Sequence, residues 1–70
     1  MADGILIQVN GEAQETKPGA TVLILLEQLG LNAGRVAIEY NFQILPKVKW
    51  AETQVAAGDR IEIVQFVGGG

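Results

Sequence analysis

Cysteine and histidine are both absent from this chain. Without thiolate or imidazole ligands, the sequence excludes disulfides, cysteine-ligated iron–sulfur clusters and the usual zinc sites. It also lacks a glycine loop that could cradle phosphate and a closely spaced carboxylate set for a metal ion. We therefore expect no metal, no cofactor and no catalytic residue in this chain, and we do not expect it to be an enzyme by itself.

Positive charge and long apolar runs are also scarce. The chain carries 5 Lys and Arg residues, which are scattered, and its formal net charge is −3. It has no basic footprint for nucleic acid, and an acidic surface instead suits association with a more basic protein. The longest apolar run, Val22 to Leu26, is too short to span a bilayer, and the first residues lack a signal-peptide pattern. We expect a cytoplasmic protein without membrane contact.

The first half of the sequence predicts a hairpin followed by a helix. Ile5, Ile7 and Val9 alternate with less apolar neighbours, Asn10-Gly11 favours a tight turn, and a second strand is expected over residues 12–17. Thr21 is placed as the N-cap of a helix that ends before Gly30 in a left-handed cap. Four apolar residues recur at helical spacing and form its packing stripe: Val22, Leu25, Leu26 and Leu29.

The second half predicts further strands around the helix. Residues 36–40 alternate as a third strand, a short apolar segment follows over residues 43–45, and residues 61–66 alternate as the last strand. We interpret Trp50 as a core residue in an irregular segment, with an interface role as the weaker alternative. The order β-β-α-β-β-β predicts an α+β domain with one helix packed across a mixed sheet of four to five strands.

The sequence ends in Gly68-Gly69-Gly70, directly after the last strand. We divide the chain into a folded domain, 1–67, and a flexible glycine tail, 68–70, which we expect to be disordered when free. Because glycine has no Cβ, Gly68 and Gly69 could thread through a channel too narrow for side chains. The carboxylate of Gly70 would then reach a partner's active site, where adenylation by ATP and attack by sulfur would give a thiocarboxylate. A flexible end without function is the alternative.

Large apolar residues near the tail predict a docking patch. If Ile61 and Ile63 face the core, Val64 and Phe66 point to the opposite side of the strand, and Val67 follows them. The alternative is that the two faces are assigned the wrong way round. A buried Phe66 would end the patch hypothesis.

Several segments together resemble a known family. They are Glu39-Tyr40-Asn41, Leu45-Pro46, Trp50-Ala51-Glu52-Thr53, Gly58-Asp59-Arg60-Ile61-Glu62-Ile63-Val64 and Phe66-Val67-Gly68-Gly69-Gly70. This pattern closely resembles the ThiS family of thiamine-biosynthesis sulfur carriers and covers nearly the whole chain. The glycine end is common to ubiquitin-like carriers and modifiers, whereas the spacing from Pro46 to Trp50 and at Gly58-Asp59 points to this branch.

The resemblance implies a ubiquitin-like β-grasp fold and a set of partner enzymes. An E1-like adenylating enzyme (ThiF-like) would activate Gly70 with ATP, a persulfide would donate the sulfur, and thiazole synthase (ThiG-like) would accept it for the thiazole ring. Phe42 departs from the family, which usually has glycine or a small polar residue there, so the type of the Asn41 turn is open. Three alternatives also remain open: a carrier for molybdopterin or another pathway, a protein modifier, and a non-catalytic binding module.

Overall fold

The computed structural model describes residues 4–66, which form a mixed sheet with a short helix across one face. The strands are β1 (Ile5–Val9), β2 (Glu12–Thr16), β3 (Val36–Tyr40), β4 (Gln43–Ile44) and β5 (Arg60–Gln65), and the helix is α1 (Val22–Gln28). Single 3₁₀ turns occupy Ala33–Arg35 and Lys47–Lys49. This order confirms the predicted β-β-α-β-β-β arrangement, although the second strand ends at Thr16, one residue earlier than predicted.

The hairpin between β1 and β2 forms at the predicted turn. Val9 pairs with Glu12, so Asn10 and Gly11 are the two turn residues. Their φ angles are 52° and 83°, in the left-handed region that a two-residue hairpin of this kind requires. The Asn-Gly signal therefore sets the register of both strands.

Both ends of α1 are capped as the sequence predicts. Thr21 Oγ1 accepts a hydrogen bond of 3.1 Å from the backbone N–H of Ile24. At the other end, Gly30 has a φ of 74°, and the N–H of Leu31 donates to the carbonyl of Leu26 at 3.0 Å. This is the Schellman arrangement, in which a left-handed residue turns the chain and satisfies the last carbonyls of the helix.

The strand order in the sheet is β2-β1-β5-β3-β4. β1 and β5 run parallel, and the other neighbouring pairs are antiparallel. α1 covers one side, which we call the inner face, and the side away from α1 is the outer face. The buried apolar side chains come from the inner face, α1 and the segments around them: Ile7, Ala20, Val22, Leu25, Leu26, Val36, Ile38, Trp50, Val55, Ile61 and Ile63. This architecture is the predicted β-grasp fold.

Trp50 is a core residue, as the sequence interpretation preferred. Its side chain is only 3% exposed. The indole N–H donates a 2.9 Å hydrogen bond to the carbonyl of Leu45, which satisfies the one polar atom of the side chain. An interface role for Trp50 is therefore wrong.

The turn between β3 and β4 carries an unusual residue. Tyr40 pairs with Gln43, so Asn41 and Phe42 form a two-residue turn with φ angles of 50° and 72°. Two consecutive positive φ values are typical of a type I′ turn, in which glycine is preferred at the second position. Phe42 adopts this conformation despite its Cβ, which answers the question that the sequence left open about the turn.

Candidate functional site

β5 is the middle strand of the sheet and leads directly to the tail. Its antiparallel partner β3 follows it to the last described residue, because the N–H of Phe66 donates to the carbonyl of Arg35 at 2.8 Å. Phe66, the last described residue before the tail, is thus held against the β3 side of the sheet. Val67, Gly68, Gly69 and Gly70 lie outside the described residues, so the predicted disorder, threading and modification of these residues stay predictions.

The other side of β5 is held by a side chain. β1 pairs with β5 only over Gln8 and Val9. The carboxamide of Asn10 then extends the pairing: its Oδ1 accepts from the N–H of Ile63 at 2.7 Å, and its Nδ2 donates to the Ile63 carbonyl at 3.3 Å. Asn10 therefore serves as one further residue of the neighbouring strand. Sequence reasoning treated Asn10 only as a turn residue, and no local signal could have indicated a contact 53 positions away.

The outer face next to the tail is apolar and exposed. Ile61 and Ile63 are buried on the inner face, whereas Val64 is 59% and Phe66 is 57% exposed. Ala37 pairs with Val64 across the strands and is exposed beside it. The predicted assignment of the two faces is confirmed. Whether Val64, Phe66 and Val67 bind a partner stays a prediction.

Two carboxylates lie directly beside this apolar area. Glu39 on β3 pairs with Glu62 on β5, so both side chains project from the outer face. Glu62 forms an ion pair with Arg60, in which the Arg60 Nη2 and Glu62 Oε2 atoms lie 3.0 Å apart. The Arg60 guanidinium also lies 4.6 Å from the centre of the Phe42 ring. Among residues 4–66, Glu39 has no ion-pair partner. Ile44 pairs with Glu39 on the next strand and is 77% exposed.

A hydrogen-bonded cluster at the opposite end of β5 holds Asp59. Burial raises the pKa of this carboxyl group, but hydrogen bonds from the Tyr40 hydroxyl, the Ala56 N–H and the Asn41 amide outweigh burial and leave its pKa below the ordinary value. Burial, together with the Asp59 contact, raises the pKa of Tyr40 to about 12. Asn41 Oδ1 also accepts from the N–H of Arg60 at 2.8 Å. This cluster joins the turns that precede β4 and β5, and it lies at the end of β5 opposite to Gln65.

The part of the chain between residues 4 and 66 offers little else for chemistry. In it, no three side chains of the metal-binding types come together. No helix in the same range has the length and apolar character needed to cross a membrane. Within the described residues, the candidate features are the exposed apolar residues Val64 and Phe66 and the carboxylate pair Glu39 and Glu62.

Sequence comparison finds relatives over nearly the whole chain. It is 39% identical over 64 residues to the sulfur carrier protein ThiS of Escherichia coli, covering 91% of this chain and 97% of that protein. It is also 44% identical over 62 residues to a thiazole synthase of Paramagnetospirillum magneticum. That match covers 89% of this chain but only 19% of the synthase, so the chain spans about a fifth of that relative's length.

Comparison with solved structures agrees with the topology. The crystal structure of the thiamine biosynthesis protein ThiS from Geobacter metallireducens superposes with a TM-score of 0.81 at 30% identity, covering 94% of this chain and 100% of that one. A computationally designed protein based on human erythrocytic ubiquitin matches with a TM-score of 0.54 at 18% identity, which supports the ubiquitin-like fold alone. The model of the ThiS family matches residues 7–70. With this match over almost its full length, the chain belongs to the ThiS family.

Proposed function

We propose that this protein is a sulfur carrier that delivers sulfur for thiazole formation in thiamine biosynthesis. Its working group would be the carboxylate of Gly70. Family membership and the names of its relatives, a sulfur carrier and a thiazole synthase, support this proposal. The single structural observation that carries it is the position of β5, which is the central strand of the sheet and the last strand before Gly68, Gly69 and Gly70 in the sequence.

The proposed chemistry has three balanced steps. A carboxylate oxygen of Gly70 attacks the α-phosphorus of ATP and expels pyrophosphate, which gives an acyl-adenylate. The terminal sulfur of a persulfide attacks the acyl carbon and expels AMP, which gives an acyl disulfide. A thiol then attacks the donor's sulfur in the acyl disulfide, which leaves a thiocarboxylate on Gly70 and a disulfide between the persulfide donor and that thiol. Because this chain has no cysteine, both the persulfide and the thiol must come from other molecules.

The partners follow from these steps. An E1-like adenylating enzyme would bind ATP, and this chain would serve as its co-substrate without a cofactor of its own. The thiocarboxylate is a soft anionic nucleophile, suited to attack on an electrophilic carbon held by the acceptor enzyme. We assign thiazole synthase as that acceptor, because one protein of that name contains a segment similar to this chain. The need for ATP and reduced thiols assigns this function to the cytoplasm.

The exposed residues just before the tail would provide the docking surface. Val64 and Phe66 remain exposed although they are large and apolar, and they immediately precede the reactive end. A partner that covers them would gain apolar burial while it holds the tail in register with its own active site. Val67 would extend the same surface.

Intact-protein mass spectrometry tests the proposal. The chain is incubated with ATP, an E1-like adenylating enzyme, a persulfide donor and a thiol reductant, beside a control variant that lacks Gly69 and Gly70. We expect a mass gain that matches the replacement of one oxygen by sulfur in the wild-type chain alone. No gain with an enzyme that processes its own carrier would contradict sulfur carriage.

A second experiment separates the thiazole pathway from its alternatives. The thiocarboxylate form is supplied to thiazole synthase with its other substrates, and thiazole product is measured. Sulfur carriage without product would move this chain to another biosynthetic pathway. Stable adducts between Gly70 and lysines of other proteins would instead indicate a protein modifier.

A further inference from the structure

The carboxylate pair on the outer face is unfavourable for the isolated chain. Glu39 and Glu62 are direct cross-strand neighbours on one face of an antiparallel pair. Side chains in this position have Cβ atoms about 5 Å apart, and like charges there destabilise the sheet. Arg60 forms a 3.0 Å ion pair with Glu62, but no Lys or Arg among residues 4–66 forms an ion pair with Glu39.

The surroundings of the pair indicate what could relieve the repulsion. Val64 and Ala37 form the adjacent row toward the tail, and Ile44 lies beside Glu39 on the next strand. Val64 and Ile44 are exposed, so the two carboxylates have Arg60 on one side and exposed apolar side chains on the others. A partner that covers this area would remove water from the carboxylates, which strengthens their attraction to a cation and raises the cost of leaving them unpaired.

We propose that the E1-like adenylating enzyme docks on the outer face by placing an arginine between Glu39 and Glu62. An arginine fits because its planar guanidinium can hydrogen-bond two carboxylates and is less strongly hydrated than an ammonium group. Apolar side chains around that arginine on the enzyme would contact Val64, Phe66 and Ile44 of this chain. This inference rests on the proposed function for the choice of partner and adds the charge that selects it.

The same charges disfavour a second copy of this chain as the occupant. Two outer faces brought together would bury four carboxylates against one another, and the net charge of −3 on each copy would add to the repulsion. A basic partner would instead be attracted both by the two carboxylates and by the net negative charge of the chain. The pair therefore discriminates between association with an enzyme and association with itself.

Binding and turnover test the inference with charge-matched variants. The chain is titrated into the E1-like adenylating enzyme without ATP by calorimetry, and the KM for the chain is measured in ATP–pyrophosphate exchange. For the double variant Glu39→Gln/Glu62→Gln we expect Kd and KM to rise at least about tenfold, equivalent to about 1.4 kcal/mol, with a weaker dependence on salt. The control Glu12→Gln/Glu27→Gln removes the same charge from exposed positions elsewhere and should change Kd less than about threefold.

The variant Glu39→Lys separates docking from folding. A lysine opposite Glu62 replaces a repulsive pair with an attractive one, so the thermal midpoint should rise by about 1–8 °C. Binding to the enzyme should nevertheless weaken more than in Glu39→Gln, because the lysine repels the incoming arginine. A more stable chain that binds less well cannot be explained by unfolding.

The outcomes distinguish the docking inference from the proposed function. Equal weakening by both double variants, or a Kd for Glu39→Gln/Glu62→Gln within about twofold of wild type, would overturn the arginine inference. A wild-type chain that fails to bind the enzyme would overturn it as well. Wild-type binding that depends on the pair, but without pyrophosphate exchange, would leave the docking inference standing and contradict the proposed function.

Discussion

Replacing Asn10 with glycine tests how the open side of β5 is held. Asn10→Gly removes both hydrogen bonds between the carboxamide and the Ile63 backbone, while glycine adopts the φ of 52° without strain. Each hydrogen bond contributes about 0.5–1.5 kcal/mol net, so the free energy of unfolding should fall by about 1–3 kcal/mol. Asn10→Ala loses the same bonds and adds about 1–2 kcal/mol of left-handed strain.

Urea unfolding followed by tryptophan fluorescence measures this change. Trp50 is the single tryptophan and is buried, so its emission reports unfolding of the core. Gln8→Ala serves as the control, because Gln8 is an exposed neighbour on β1 and its loss should matter by less than about 0.5 kcal/mol. If Asn10→Gly unfolds like wild type while Asn10→Ala is destabilised, backbone conformation matters at this position and the carboxamide does not.

Hydrogen exchange locates the effect on β5. The Ile63 amide loses its acceptor in Asn10→Gly and should exchange faster than the global loss of stability requires. The Phe66 amide donates to Arg35 on the other side of the strand, and its exchange should follow global stability only. Equal acceleration at both amides would refute a local role for Asn10.

Three further changes have defined outcomes. Asp59 has a lowered pKa in the folded chain. Its contribution to stability is therefore present above its unfolded-state pKa and is lost as the pH falls through its folded-state pKa. Urea unfolding should show a loss of stability below about pH 4, and Asp59→Asn should lack this loss. Tyr40 has its pKa raised from 10.0 to about 12, so its contribution is complete below pH 10.0 and disappears as pH rises through about 12. Absorbance of this single tyrosine should show that late titration, and Tyr40→Phe should lack the alkaline loss of stability. Gly30→Ala should cost about 1–2 kcal/mol in thermal unfolding, because a Cβ there meets no atom within 4 Å and only the φ of 74° is unfavourable; a wild-type midpoint would show that the cap tolerates alanine.

The parts of the fold that the sequence predicts well are encoded by residues close together in the chain. The Asn10-Gly11 turn, the Thr21 cap and the Gly30 cap each depend on a few neighbouring residues with known backbone preferences. Alternation within β5 likewise indicated which face is buried, and the exposure of Val64 and Phe66 follows from it. Strand boundaries differ by a residue in three places: β2 ends at Thr16, β4 ends at Ile44, and β5 runs over Arg60–Gln65 instead of residues 61–66.

The parts that the sequence did not predict depend on register between distant segments. The Glu39–Glu62 pair exists only because β3 and β5 align Tyr40 with Ile61, and nothing local fixes that alignment. The Asn10 contact with Ile63 likewise requires that β1 end at Val9, one residue before Asn10. Phe42 has a positive φ, where the local preference is for glycine. Its contact with Arg60 offsets part of the backbone strain, and this contact forms only when the chain is folded.

The place of β5 in the sheet has a consequence for how the protein folds. The β1–β2 hairpin and the β3–β4 hairpin are local and can form early, but within the described residues the sheet joins them only through β5. The β1–β5 contact closes a loop of most of the chain, so the entropy of that closure is lost before its contacts are gained. Completion of the sheet and fixation of the segment leading to the tail are therefore one event. In a nascent or partly unfolded chain, β5 would not yet be held between β1 and β3, so the strand that precedes the glycines is fixed only in the completed sheet.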